Sequence, residues 1–307
     1  MNPVRRPQVD VGVVTWNTRD LTVAALRRLL DSDQGCDIRL LVRDNGSTDG
    51  TADAIAAQVP EAELDAGREN LGFAAGVNLL LGRSEAPWFV TLNSDAWPQP
   101  MALGRLVAAA LEHPRAAAVA ARLERPDGTL EYSAYQLPSL KVAALLAFGS
   151  QKRQGRLGDA MMLEGYWRHD RPRAVGWAVG ACLLLARRAV EEVGPLDDTF
   201  FMYAEDVEWC WRAGLQGWEI WFEPSAVVCH VGNASGEARY GQARTAAWMR
   251  NTYSVYRRHH SRLETAAYRT VNALGCARKA AEARWRGDRP AELRWRRDAL
   301  LNLRDEA

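Results

Sequence analysis

No stretch of this 307-residue chain is apolar for long enough to span a bilayer. The longest nearly apolar run, Val175 to Ala186, covers 12 residues between Arg173 and Arg187. A spanning helix needs roughly 20, so the run reads as a buried strand. The start, Met1-Asn2-Pro3-Val4-Arg5-Arg6, is basic but passes straight into Val9-Asp10-Val11 without a signal-peptide core or cleavage site, which predicts a cytoplasmic protein. Cysteine is scarce and lacks any C-x-x-C spacing: Cys36, Cys182, Cys210, Cys229 and Cys276 are odd in number and scattered. That argues against a disulfide framework or a structural zinc site and predicts reduced thiols. Fixed-period repeats and low-complexity tracts are missing too, and a mean hydropathy of −0.29 is that of a soluble protein, so fibrous and disordered classes are out.

What is present is a chain with 39 basic and 38 acidic residues, unevenly spread. From Thr245 onward there are 14 basic and 7 acidic residues, which leaves 25 and 31 for the rest. The tail is therefore a different kind of surface from the body. The first hundred residues alternate strand and helix. Val9 to Trp16 is β-branched and is followed by Leu21, Ala25 and Leu29 at helical spacing; Ile38 to Arg43 then ends in Asp44-Asn45-Gly46-Ser47-Thr48-Asp49, a turn with a helix cap. Two such units in succession predict a doubly wound, mostly parallel sheet, whose ligands sit at the carboxyl ends of the strands. Asn17, Asp44 and Asn93 to Asp95 all fall there.

Beyond Pro98 the pattern becomes mixed. It predicts a helix over Met101 to Glu112, a hairpin turning on Pro126-Asp127-Gly128, a mobile loop over residues 139–172, and a strand from Trp177 to Ala186. An acidic helix from about Tyr203, strands over Trp218 to Phe222 and Ala226 to Val231, and a helical tail complete the reading. The expected domains are residues 1–244, divided near 97 into a nucleotide-binding and an acceptor-binding half, and a basic helical extension over 245–307.

Two clusters carry chemistry. In Asn93-Ser94-Asp95, residues two apart at a strand end point the same way, so the Asn93 amide oxygen and the Asp95 carboxylate could converge on one cation, with nucleotide oxygens and His230 filling the sphere. Taken alone, a turn and helix cap is the commoner meaning of Asn-Ser-Asp. Glu205-Asp206-Val207-Glu208 places three carboxylates in one helical turn beside Phe200-Phe201-Met202-Tyr203. Acids there offset the helix dipole; crowded together against aromatic surface, they also raise a carboxylate pKa, as a general base requires.

Five ordered blocks, Val13-Val14-Thr15-Trp16-Asn17, Asp44 to Gly50, Asn70-Leu71-Gly72-Phe73-Ala74-Ala75-Gly76, Leu92-Asn93-Ser94-Asp95 and Phe200 to Glu208, resemble the motifs of family 2 glycosyltransferases, and most of all its rhamnosyltransferase branch, across about residues 9–236. The resemblance implies the GT-A fold, a divalent cation (Mg²⁺ or Mn²⁺), inversion at the anomeric carbon, and a nucleotide-sugar donor, dTDP-L-rhamnose, with a glycan or polyprenyl-linked acceptor. By motif, Thr15, Trp16, Asn17, Asp44, Asn70, Gly72, Asn93 and Ser94 would bind the nucleotide, with Asp44 accepting the imide N–H of the base. Asp95 and His230 would hold the metal, and Asp206 would be the base supported by Glu205. Trp177, Tyr203 and Glu205 would face the acceptor. Asn93 and Glu208 stand where many members carry Asp.

Alternatives remain open at this level. A UDP-sugar hexosyl- or galactofuranosyltransferase is the rival within the enzyme class, and a non-catalytic nucleotide-sugar-binding or scaffold protein is the rival outside it. For the Arg- and Trp-rich tail, a solvated helix pair or homodimer interface ranks first. Contact with an anionic membrane surface at the inner face of the plasma membrane ranks second. Nucleic acid is not an expected partner, since no recognised module accompanies the charge.

Overall fold

The computed structural model describes residues 6–149, 158–162, 167–232 and 243–304. They divide into two compact units, residues 1–134 with 169–239 and residues 135–168 with 240–307.

The first unit is built on one large sheet. Its strands are β1 (Gln8–Thr15), β2 (Asp37–Asp44), β3 (Glu63–Ala66), β4 (Trp88–Asn93), β5 (Ala96–Pro98), β6 (Ala116–Glu124), β7 (Leu130–Glu131), β9 (Arg173–Val175), β11 (Cys182–Ala186) and β12 (Glu219–His230), with short strands β8 (Ala134–Tyr135) and β10 (Trp177–Ala178) outside it. The order is β3-β2-β1-β4-β11-β6-β12-β5. The pairings β3–β2, β2–β1 and β1–β4 are parallel, as the two strand–helix repeats require. Beyond β4 the sheet is mixed: β11 runs antiparallel to both β4 and β6, while β6 and β12 are parallel.

β1 lies at the centre of the parallel half, and Val9, Val11 and Val13 are all but fully buried. This is the burial expected of a strand covered on both faces. Gly12 is required there, because a Cβ would stand 2.2 Å from the Phe89 ring. Helix α1 (Arg19–Leu30) buries Thr22, Ala25, Leu26 and Leu29, and each large apolar side chain so covered contributes roughly 1.5–3 kcal/mol. Helices α2 (Thr51–Gln58), α3 (Phe73–Arg83) and α4 (Ala102–Glu112) complete the first half; α6 (Arg187–Val193) and α7 (Glu205–Leu215) belong to the second. Buried Asp10 ties the α3–β4 connection to the sheet by accepting the amides of Glu85 and Ala86 at 2.9 and 3.2 Å.

The second unit is helical: α5 (Leu140–Phe148), α8 (Arg244–His259), α9 (Arg262–Trp285) and α10 (Arg289–Leu303). Here the expected loop over 139–172 is corrected. Its first part forms α5, capped by Ser139 accepting the Val142 amide. The helix packs on α9 so closely that a Cβ on Gly275 would meet the Ala147 Cβ at 2.8 Å. Residues 150–157 and 163–166 of that stretch lie outside the described residues. α9 begins with a capping box between Ser261 and Glu264, and α10 with Asp288 as N-cap followed by Pro290.

Two strand boundaries also differ from expectation. The two expected strands join into one, β12 over Glu219–His230, with a bulge between Glu223 and Val227, where Pro224 withholds an amide from the ladder. The run from Trp177 to Ala186 breaks at residues 179–181, and the break contributes to the site described next.

Candidate active site

At the carboxyl edge of the parallel strands, Thr15 pairs with Asp44 in register. Asp44 is buried, and its carboxylate accepts the Ser47 amide at 2.9 Å and the Ser47 hydroxyl at 2.5 Å. Asn17, at φ 51°, accepts the Thr48 amide at 2.8 Å while its own amide donates to Ser47 Oγ at 2.8 Å. The loops after β1 and β2 are thus clasped together. Thr15 Oγ1 lies 2.8 Å from Thr22 Oγ1 and 3.0 Å from Thr18 Oγ1, so its hydroxyl serves the first turn of α1. Ser94 Oγ reaches Thr18 Oγ1 at 3.4 Å, and Trp16 is partly exposed beside them. A cleft at the start of α1 is lined by Asn17, Thr18, Arg19, Asp20, Leu21 and Asp49; of the expected nucleotide residues it includes Asn17 alone.

A second loop is fixed from below by Asn45. Its side-chain amide donates to the Gly72 carbonyl at 2.9 Å and to Asn70 Oδ1 at 3.3 Å, while Asn70 Oδ1 accepts the Gly72 amide at 3.0 Å. The Phe73 amide then donates to the Phe201 carbonyl at 2.8 Å. The loop carrying Asn70 and Gly72 is therefore bonded to the loop that precedes the acidic helix. Gly72 sits at φ +90°, and a Cβ there would stand 2.4 Å from the Phe201 oxygen. Gly72→Ala is expected to cost at least about 2 kcal/mol in urea-induced unfolding and to weaken nucleotide binding; an unchanged midpoint would show that the loop accommodates the methyl group.

The second cluster forms where β4 ends and β5 meets β12. β12 pairs antiparallel with β5, setting His230 opposite Ala96, and the Val231 amide donates to the Asp95 carbonyl at 3.0 Å. His230 Nε2 then lies 3.3 Å from Asp95 Oδ1 and 3.2 Å from Asn93 Nδ2. On the other side of the ring, Nδ1 meets Glu131 Oε2 at 3.0 Å. Burial favours a neutral imidazole, but the hydrogen bonds to Asp95 and Glu131 outweigh it and raise the His230 pKa from 6.5 to about 9.

The third cluster opens α7. Tyr203 and Ala204, neither of them glycine, have φ of 72° and 76°, a strain of about 1–3 kcal/mol each. They turn the chain so that Glu205 and Asp206 start the helix. Asp206 Oδ2 accepts the Gly180 amide at 3.2 Å and Oδ1 the Val207 amide at 2.8 Å. Burial raises the Asp206 pKa from 3.8 to about 6, against the pull of those two amides. Glu205 is buried with no hydrogen-bond partner for Oε2; burial first, then the charge of Asp206, holds its pKa well above the carboxylate range. Glu208 is occupied otherwise, in a two-pronged pair with Arg212 at 2.8 and 2.9 Å. Tyr203 and Trp177 are partly exposed, the latter in β10.

The break in the 177–186 run links the clusters. Gly180 donates to Asp206, its carbonyl accepts from Thr91 Oγ1 at 2.9 Å, and the next carbonyl, of Ala181, accepts the Asn93 amide at 2.9 Å. One short backbone segment thus holds both the acidic helix start and the end of β4. Three residues of this architecture escape sequence reasoning: Glu131, Asn45 and Gly180. The first two are ordinary hairpin and turn residues by pattern, and their partners lie 99 and 25–27 residues away.

The parallel half-sheet with nucleotide-type loops at its carboxyl edge, completed by a mixed half that carries a strained acidic helix start, defines a GT-A enzyme. Residues 10–193 match the family described as Glycosyl transferase family 2. Two strains of Mycobacterium tuberculosis (CDC 1551 / Oshkosh and H37Rv) have an N-acetylglucosaminyl-diphospho-decaprenol L-rhamnosyltransferase that is 34% identical over 236 residues, or 73% of this chain and 76% of that one. Among solved structures, a mannosyltransferase from Pyrobaculum calidifontis in complex with GDP-Man and Mn²⁺ aligns at a TM-score of 0.59 with 18% identity, over 99% of this chain and 82% of its own. GalNAc-T7 with UDP, GalNAc and Mn²⁺ aligns at 0.61 with 12% identity, over 97% and 55%. The chain belongs to glycosyltransferase family 2, a family of inverting sugar transferases, and has rhamnosyltransferase relatives.

Proposed function

We propose that this enzyme transfers L-rhamnose from dTDP-L-rhamnose, with inversion and with a divalent cation, to a hydroxyl of a polyprenyl-diphosphate-linked sugar. The observation that carries the reading is the joining of Asn93, whose side chain lies 3.2 Å from His230 beside the Asp95–His230 pair, and the Asp206 carboxylate through the residue 180–181 backbone. The rhamnosyl donor and lipid-linked acceptor are supported by the 34%-identical relatives, whose name carries both.

The donor set at Asp95 and His230 fits a cation of the Mg²⁺ or Mn²⁺ kind: one carboxylate oxygen and one imidazole nitrogen already face each other, with the Asn93 amide beside them. Among the described residues no group of three or more His, Cys, Asp or Glu side chains could hold a metal unaided. The site would be completed by oxygens of the bound diphosphate. Such an ion supplies charge neutralisation for the departing nucleoside diphosphate. Asp44 and the clasped loops at Asn17 and Gly72 hold the nucleotide, with Trp16 offering a stacking face to the base. Asp206, in its ionised form, accepts the proton of the attacking acceptor hydroxyl. Glu205, held neutral by its surroundings, can donate a hydrogen bond, while Trp177 and Tyr203 border the acceptor. Residues 1–244 carry this chemistry, and 245–307 form a basic helical extension.

Calorimetric titration of dTDP, UDP and GDP, each with and without Mn²⁺, tests the donor assignment. Metal-dependent binding with dTDP ahead of UDP is the expected order. A UDP preference would move the enzyme to the hexosyl class, and no nucleotide binding would return it to a scaffold role.

A further inference from the structure

Helix α10 turns an unusual face to solvent. Leu293, Leu300 and Leu303 are 56%, 61% and 59% exposed, whereas the side that packs inward carries the polar Asp298 and Asn302, both buried. At 100° per residue the three leucines fall within one sector of about 80°. Arg289 and Arg304 project from the same side, are themselves exposed, and widen the sector to about 100°, while Arg297 is turned to buried Asp298 at 3.2 Å. No acidic residue falls inside it; Glu292, at its margin, pairs with Arg296 at 2.7 Å. At the turn into this helix Trp285 is 88% exposed, between Arg284 and Arg286.

We infer that this α10 face, with the Trp285 turn, is a docking surface for an anionic phospholipid membrane. Charge and shape select this occupant. A helix lying in a bilayer interface needs leucines to enter the acyl boundary and long cations to reach phosphates, and Arg stems can extend past buried leucines to do so. An exposed tryptophan suits the headgroup zone, where an apolar ring and a polar N–H are both satisfied. A nucleic-acid surface would engage the arginines and leave three leucines in water. Among the described residues no helix is long and apolar enough to cross a membrane, so the attachment is lateral. Each arginine near an anionic surface strengthens partitioning by roughly fivefold, an effect that salt screens.

The test is co-sedimentation of the full chain with phosphatidylcholine vesicles, with and without phosphatidylglycerol, at low and raised salt. Two variants accompany it: Leu300→Glu with Leu303→Glu, and Arg289→Ser with Arg304→Ser. All changed positions are exposed, and circular dichroism melting checks that both variants fold. The wild type is expected to bind only the phosphatidylglycerol vesicles and to release at raised salt. Each variant should lose at least about tenfold in affinity. Failure of the wild type to bind anionic vesicles overturns the proposal. So does full binding by the leucine variant, which would reduce the contact to charge alone. If the wild type is dimeric by light scattering and the leucine variant monomeric while neither binds vesicles, the face is instead a contact between copies of this chain. The vesicles hold neither donor nor acceptor sugar, so this result and the nucleotide titration succeed or fail separately.

Discussion

Asp206→Asn should lower the turnover of sugar transfer by a factor of about 10²–10⁴, the range supplied by a positioned general base, while leaving dTDP affinity within a few-fold. The two readouts separate because the carboxylate is bonded to the Gly180 amide and does not belong to the Asn17 and Gly72 loops to which nucleotide binding is assigned in the proposal. The pH profile adds a second signature. Asp206 must be ionised to accept a proton, and burial holds its pKa near 6, so kcat/KM of the wild type should rise through that pH and level off above it. Any residual activity of the variant should lack this limb. Since Glu205 titrates against the same charge, the limb belongs to the pair.

The same raised pKa predicts a gain in stability. A carboxyl group with a folded pKa near 6 against 3.8 in the unfolded chain makes the folded state bind more protons between those values, so its ionisation destabilises the fold as pH rises. Asparagine carries no charge to desolvate and keeps an acceptor for the Gly180 amide. Its melting temperature should therefore match the wild type near pH 4 and exceed it above pH 6. Because Asp206 is only partly buried, the gain is on the order of 1–2 kcal/mol. An inactive but more stable variant is the mark of a group kept for chemistry at a cost to the fold. Native-rate transfer by Asp206→Asn would remove it from the role of base.

How legible this was in the sequence depends on the range of each interaction. The parallel half-sheet was readable because β1 and β2 each carry their own evidence: a continuous buried run, then a turn, then helical spacing. The five motif blocks likewise sit on local strand ends and one helix start, so the positions of Thr15, Asp44, Asn93 and Asp206 at those ends are legible from sequence. Partners fixed by non-local pairing could not. Nothing around Leu130-Glu131 signals that the hairpin aims a carboxylate at a ring 99 residues on. Sequence alone gives loop for Leu140–Phe148 because Gly, Arg and Met are scattered through the residues that follow it, and the Ala147–Gly275 contact that anchors it involves residue 275 of a distant segment. The two-residue tie at Gly180 and Ala181 lies within an apolar run whose periodicity gives no sign of a break. Its function depends on what β4 and α7 bring to it.

Glu131 is where that non-local information makes the sharpest claim. A metal-ligating imidazole generally gives its second nitrogen to a carboxylate, which fixes the ring and its tautomer, and loss of that partner costs about 10–100-fold in metal affinity. With Nδ1 bonded to Glu131 Oε2 and Nε2 facing Asp95, Glu131→Ala should raise the Mn²⁺ concentration needed for tight dTDP binding by a factor in that range. Glu131→Gln, whose amide oxygen can still accept from Nδ1–H, should restore most of the loss. His230→Ala should shift the titration at least as far, and the double variant no further, because Glu131 acts through the ring. A pH measurement on metal-free protein checks the same pairing. A histidine raised from 6.5 to about 9 lends stability that is fully present below pH 6.5 and disappears as pH rises through 9. The melting temperature in chelator should fall across that window in the wild type and stay flatter in Glu131→Ala. If the Glu131→Ala protein titrates with Mn²⁺ as the wild type does, the carboxylate is only a hairpin neighbour and Asp95 alone orients the ring.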